Sequence, residues 1–342
     1  MTAADGVLFV PYRDTLDLLT PKEALKIAED VYRMQGDGTI EASRPPSFRL
    51  DTGAPLHNHW HVKCALLNEI PVTGVRLYNY FDDGKRNTVG QLECGRYVLL
   101  ADPRTGQSLG IVEEHWTYAL RSAAATTLPL KWLGPAKPKV VGLVGVGTMG
   151  TNALRCLTAL YDSIEEVRCT SRRRETRETF AAKWSAKLGI RVVAKDTVEE
   201  AVRGADIGVG GTTSDEIMCR ENWIKPGGVY LSFARREFDP EGWVKMDKVV
   251  VDSWEMNMLM KHFRASAESG LFTRDKLYAE IHEVVHGKKP GRERADERIL
   301  IHTTGLVAHD IAMCHYVYEK AVKLGRGIRL PARGSGSPGP AD

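Results

Sequence analysis

The sequence predicts an α/β protein in which a doubly wound parallel sheet is inserted into a mixed α+β domain. Three observations carry that prediction. Short apolar runs at 140–144, 167–170, 192–194, 207–210, 229–233 and 249–251 alternate with helical patterns, the texture of parallel strands joined by helical crossovers. Across 48–112 the pattern changes to short alternating runs broken by Gly53, Gly74, Gly84, Gly90 and Gly106, which reads as an antiparallel sheet. A last amphipathic segment, 305–323, follows the parallel region and is expected to return to the first domain.

Taken in chain order, Thr20-Pro21-Lys22-Glu23 sets a capping hydroxyl, a proline at the first helical position and a reciprocal carboxylate. A helix is expected from there to about Gly36, with Leu25, Ala28, Val31 and Tyr32 recurring at helical spacing on one buried face. At 342 residues the chain is longer than one hydrophobic core usually fills, so two domains are expected. Residues 333–342 are rich in Gly, Ser and Pro and are expected to be a disordered tail.

Composition narrows the function. Hydrophobic residues make up 43% and charged residues 27%, ordinary for a chain that folds around a core. The net charge of +3 is small and the basic residues are dispersed, which disfavours nucleic acid and favours a small acidic molecule as partner. No apolar run approaches the ~20 residues that cross a bilayer, and residues 1–8 lack a signal-peptide pattern, so no membrane association and a cytoplasmic location are expected. Cys64, Cys94, Cys156, Cys169, Cys219 and Cys314 are widely spaced with no CxxC pair and read as reduced thiols, Cys156 and Cys169 as buried filler.

The apolar run ending at Val144 leads into Gly145-Val-Gly147-Thr148-Met149-Gly150 and then a helical pattern. Strand, glycine turn and helix in that order form the Rossmann fingerprint of a dinucleotide site. Gly145 makes the tight turn, Gly147 lets the backbone approach a pyrophosphate, and Gly150 permits close packing of the helix whose N-terminus faces the negative charge. The second strand should end on a carboxylate if ribose hydroxyls are to be held. It ends instead on Ser171-Arg172-Arg173, guanidinium groups suited to a 2′-phosphate, so NADP(H) is expected rather than NAD(H). After the fourth strand, Gly210-Gly-Thr-Thr-Ser214 places Thr212 and Thr213 at the carboxyl end of the sheet as candidate cofactor contacts.

Several ordered segments give the chain a wider likeness: Tyr97-Val-Leu-Leu-Ala-Asp-Pro-Arg-Thr-Gly106, Thr117-Tyr-Ala-Leu-Arg121-Ser-Ala-Ala124, Lys225-Pro-Gly-Gly228, Val250-Val-Asp252-Ser253 and Thr304-Gly-Leu-Val-Ala-His-Asp310. Together with the glycine turn they resemble the ornithine cyclodeaminase and mu-crystallin family over roughly 74–326. The resemblance implies a homodimer: residues 1–130, completed by 306–332, bind substrate and form the interface, and 131–305 form the inserted nucleotide domain. It also implies that Arg121, matching the arginine of the family's Arg-Thr-Ala-Ala motif, holds the carboxylate of an imino or amino acid. Parallel guanidinium donors fix a carboxylate in one orientation and so place its Cα for hydride transfer.

Departures from the family pattern bear on mechanism. A family lysine in a Gly-Val-Lys context aligns with Arg76, and a cyclodeaminase aspartate after the fifth strand aligns with Arg236. Arginine binds a carboxylate but does not give up a proton near neutrality. The absent aspartate, with the basic end of the second strand, favours an NADP-dependent imine or ketimine reductase, in reverse an amino acid dehydrogenase, whereas loss of both lysine and aspartate favours a binding protein without catalysis. An ornithine or lysine cyclodeaminase with tightly bound NAD, and a non-catalytic NADP-dependent binding protein, are the alternatives. A second family arginine falls on Arg44 or Arg49, with Arg44 preferred. Arg76 and Arg44 beside Arg121 would suit a dicarboxylic or otherwise acidic substrate, unless either pairs with a surface carboxylate such as Asp82 or Asp83. His57, His59 and His61 alternate and share one strand face with Lys63, from which one of His59, His61 or Lys63 could supply the missing general acid. No carboxylate or cysteine is tied to these histidines by spacing, and no metal is expected.

Overall fold

The strands, in chain order, are β1 (Val7–Val10), β2 (Ile40–Ala42), β3 (Phe48–Asp51), β4 (His59–Leu67), β5 (Val72–Tyr80), β6 (Arg96–Ala101), β7 (Ser108–Glu113), β8 (Val140–Val144), β9 (Glu166–Thr170), β10 (Arg191–Ala194), β11 (Ile207–Gly210), β12 (Val229–Phe233), β13 (Lys248–Val251), β14 (Ala279–Glu280), β15 (Ile299–Thr303) and β16 (Ile328–Leu330). The computed structural model describes residues 6–51, 59–80, 95–212, 214, 216–233 and 237–331. Contacts divide the chain into one unit of Met1–Thr20, Asp37–Tyr118 and Val307–Asp342 and a second of Pro21–Gly36 and Ala119–Leu306.

The first unit holds a mixed sheet of order β16-β1-β7-β6-β5-β4-β2, with β3 also on β4. The pairs from β2 through β7 are antiparallel, as the glycine-broken alternation predicts, and β1 joins β7 in parallel. On β6, Arg96, Val98 and Leu100 turn inward while Tyr97 and Leu99 turn out. Helix Val307–Leu324 lies on the inward face, so near that Ile311 and Tyr318 leave no room for a side chain at Gly74 or Gly110.

In the second unit all eight strands are parallel, in the order β10-β9-β8-β11-β12-β15-β13-β14. Continuous burial along β11, β13 and β15 matches strands covered on both faces. The strands expected at 140–144, 167–170, 192–194, 207–210, 229–233 and 249–251 are β8 to β13, while β15, between β12 and β13, was not foreseen. Helix Pro21–Asp37 forms as expected and buries Leu25, Ala28, Val31 and Tyr32. Its contacts place it in the second unit, although 1–130 was expected to form the first domain. Two hydrogen bonds tie it there: the Tyr32 hydroxyl donates to Ala125 O at 3.1 Å, and the Arg33 carbonyl bonds to the His286 ring at 2.8 Å. Residues 333–342 lie outside the described residues. Among the described residues no helix is long and apolar enough to cross a membrane.

Candidate functional site

The glycine turn follows β8 directly. Gly145 has φ +90°, a conformation L side chains rarely adopt, and a Cβ there would press on Gly211 O. A Cβ at Gly150 would land on the carbonyl oxygen of Gly145, so only glycine lets helix Thr148–Leu160 sit this close to the turn. Gly147 caps that helix and has nothing within 4 Å of where a side chain would begin. Thr148 and Met149 open the helix, whose first turn carries no acidic residue to offset its positive end. Two glycines required by packing and one facing open space fit a dinucleotide pyrophosphate.

Beyond β9, Arg172 and Arg173 are exposed, whereas the next two arginines are engaged: Arg174 pairs with Glu178, and Arg177 with Asp196. Arg177 also donates to Ser171 O at 3.1 Å, and Ser171 Oγ donates to Arg173 O at 3.2 Å, which fixes the turn from which the exposed pair projects. Beyond β11, Thr212 N and Oγ1 both donate to Glu237 Oε1, at 2.8 and 3.0 Å. The Thr212 donors expected to face a cofactor are therefore committed to the protein. Thr213 and Arg236 lie outside the described residues.

Arg121 stands on helix His115–Thr127 at 6% exposure. Two contacts hold this helix: the Tyr32 bond to Ala125, and a 2.6 Å hydroxyl contact from Thr126 to Thr303 at the end of β15. Gly305, with φ +91°, could not carry a Cβ without striking Arg121 Nη1. Behind that glycine lies Asp252, fully buried, accepting from Thr304 N at 2.9 Å, Gly305 N at 2.5 Å, Ser253 N at 3.0 Å and Asn257 Nδ2 at 2.9 Å. Burial nevertheless pushes the Asp252 carboxyl above the usual carboxylate range.

In the first unit Arg76 is 2% exposed, with Nε 2.7 and 2.9 Å from the two Glu114 oxygens and 3.3 Å from Asp310 Oδ1. Arg96 shares Glu114 at 3.4 Å, and the two guanidinium groups stack on the rings of Tyr78 and Tyr118 at 4.3 and 4.0 Å. Two carboxylates thus balance two guanidinium groups, which corrects the expectation that Arg76 adds free positive charge for an acidic substrate. Burial and then the neighbouring His59 hold His61 down at about 3, with its ring stacked on Tyr78 and Nδ1 bonded to Ser47 Oγ at 2.9 Å. A neutral imidazole carries no spare proton near neutrality, which corrects the general-acid expectation for His61. Lys63 faces Arg76 across the β4–β5 ladder. Arg49 pairs with Asp51 at 2.8 Å, while Arg44 is exposed. His57, Asp82 and Asp83 lie outside the described residues, among which no three His, Cys, Asp or Glu side chains gather as a metal site. Burial pushes Cys156 up to about 12 and Cys169 up to about 11, as suits filler thiols.

Sequence reasoning missed Glu114, Arg96 and Glu237 and gave no role to Asp252 or Asp310. The last two lie in segments that carry the family likeness; nothing in local spacing marks the others.

Comparison with known proteins agrees with this architecture. The model of the Ornithine cyclodeaminase/mu-crystallin family matches residues 16–325. N-((2S)-2-amino-2-carboxyethyl)-L-glutamate dehydrogenase of Staphylococcus aureus is 27% identical over 235 residues, 68% of this chain and 70% of its own. Ketimine reductase mu-crystallin of Rattus norvegicus is 29% identical over 251 residues, 71% of this chain and 74% of its own. Among solved structures, an archaeal alanine dehydrogenase dimer with bound NAD superposes with a TM-score of 0.83 at 25% identity, over 95% of this chain and 98% of that one.

Proposed function

This chain belongs to the ornithine cyclodeaminase/mu-crystallin family, and from that premise we propose that it is a nicotinamide-dependent oxidoreductase acting at the Cα–N bond of an imino or amino acid. In the direction of reduction it is an imine or ketimine reductase that uses NADP(H) in preference to NAD(H). Arg121 carries the reading: a buried guanidinium seated on a glycine, in the unit that also bears the dinucleotide turn. Relatives named as dehydrogenases and as a ketimine reductase support the reaction class.

When bound, the nicotinamide supplies or takes up a hydride. The residues do the rest: backbone N–H groups at Gly147 and the helix start hold the pyrophosphate, Arg172 and Arg173 take the 2′-phosphate, and Arg121 orients the substrate carboxylate. In the first unit, Arg44 is a further candidate to bind a carboxylate and Lys63 a candidate proton donor on the β4 face. A homodimer is supported by the outer sheet face of the first unit. There Val75, Tyr97 and Leu99 are 37%, 37% and 38% exposed, with Phe48 and Leu50 more so, an apolar surface that water disfavours.

The test is NADPH absorbance decay against 2-oxo acids with ammonia or methylamine and against cyclic ketimines, with Arg121→Ala as control. Turnover that vanishes in the variant is expected. Proline formed from ornithine without added reductant would replace the reading with a cyclodeaminase, and silence with NADPH still bound would replace it with a binding protein.

A further inference from the structure

Glu237 is 0% exposed, close to the carboxyl ends of β11 and β12. Its Oε1 accepts both Thr212 donors, and its Oε2 faces Phe233 N at 3.4 Å and Ser232 Oγ at 3.5 Å. Ser232 in turn is 3.0 Å from Nδ1 of the buried His302. The loop held this way is a wall of the dinucleotide turn. A Cβ on Gly211 would lie 3.0 Å from Gly150 N, and one on Gly145 would lie 2.6 Å from Gly211 O. Nothing at this junction has slack, so a shift of Thr212 displaces the turn itself.

We infer that Glu237 is the positioning residue of the dinucleotide cradle: its carboxylate fixes the Gly211–Thr212 loop against the Gly145–Gly150 turn. The inference rests on the proposed nicotinamide site. Every group around the carboxylate that bonds to it from Thr212 and Phe233 is a donor, and an anion with four lone-pair sites accepts them all. A glutamine amide keeps the size but must set an NH2 against a donor on one side.

The experiment is NADPH titration by fluorescence on the full chain. Glu237→Gln is expected to raise the Kd for NADPH about 10-fold or more, and Thr212→Val, which removes only the hydroxyl, by a smaller factor. The double variant should be no weaker than Glu237→Gln alone, since both changes break one contact. A purely structural role would lower Tm and leave the Kd of the folded protein unchanged, and that result would overturn the inference. If Glu237→Gln does not fold, an unchanged Kd in Thr212→Val overturns it instead. Wild-type protein that binds neither NADPH nor NADH would remove the proposed function and this inference with it, whereas wild-type binding with an unaltered variant removes the inference alone.

Discussion

Arg76 grips Glu114 with Nε at 2.7 and 2.9 Å from the two carboxylate oxygens and Nη2 at 2.7 Å from Oε1, inside a layer where Glu114 is 0% exposed. Charges this deep persist only when paired, so removing one partner leaves the other uncompensated in a poor dielectric. Arg76→Ala should lower unfolding stability by about 3 kcal/mol or more. Arg76→Lys should recover only part of that, because a point ammonium cannot replace the planar fork that also stacks on Tyr78. Urea unfolding of both variants checks this, and a loss in Arg76→Ala below about 1 kcal/mol would show that the cluster is solvated.

That cluster also marks the limit of what the sequence reveals. The parallel sheet was legible because strands buried on both faces write continuous apolar runs, and the glycine turn because each glycine has a separate steric reason. The run at β15 carries the same signal in five residues, yet a short apolar run does not separate strand from buried helix. Arg76 could be aligned with a family lysine, but its neutralisation depends on Glu114 and Asp310, which lie 38 and more positions away and meet it only through the fold. Glu237 was invisible for the same reason. Its role comes from the donors arranged around it, and no local pattern announces them.

A buried and a half-buried histidine set an acid limit on stability. Burial, followed by repulsion from His262, holds His302 at about 3, and His61 is held at about 3 chiefly by burial. In the unfolded chain both take up a proton below an ordinary value of 6.5. Between 6.5 and 3 the unfolded state therefore binds more protons, so their contribution is complete above that window and is lost as pH falls through it. Tm should decline steadily on acidification within this range, and His302→Gln should flatten the slope. An unchanged slope would assign the decline to other groups.

Cofactor choice should reside in the exposed pair at the end of β9. Replacing Arg172 and Arg173 together by Ala removes the charges available to a 2′-phosphate but leaves the ribose and pyrophosphate contacts alone. The KM for NADPH should rise about 10-fold or more, while that for NADH should stay within about twofold. A parallel rise for both cofactors would mean that the two arginines steady the turn and do not read the phosphate.

The outer face of the first sheet gives a test of assembly. Leu99 stands opposite Val75 in the β5–β6 ladder, and both side chains face away from helix Val307–Leu324. A carboxylate at that position opposes burial against a second copy and costs the lone unit little, since the site is already open. Leu99→Asp should convert a dimer into a folded 38.0 kDa monomer in light scattering. A wild-type chain that is monomeric at assay concentration would dismiss the proposed interface.

Gly305 offers the most selective perturbation of the carboxylate grip. Its φ of +91° is strained for any L residue, and a methyl group there would strike Arg121 Nη1, so Gly305→Ala displaces the guanidinium without changing its charge. The donors at Thr304 N and Gly305 N that satisfy Asp252 remain in the chain, which keeps the buried carboxylate from being orphaned outright. Because Arg121 is assigned to the substrate and the glycine turn to the cofactor, the two affinities should separate. The KM for the imino acid should rise about 10-fold or more, with NADPH affinity within about twofold of wild type, since a displaced bidentate contact loses its orientation as well as its energy. If substrate KM is unchanged in a folded Gly305→Ala protein, Arg121 does not hold the carboxylate, and the assignment of this helix to the substrate fails with it.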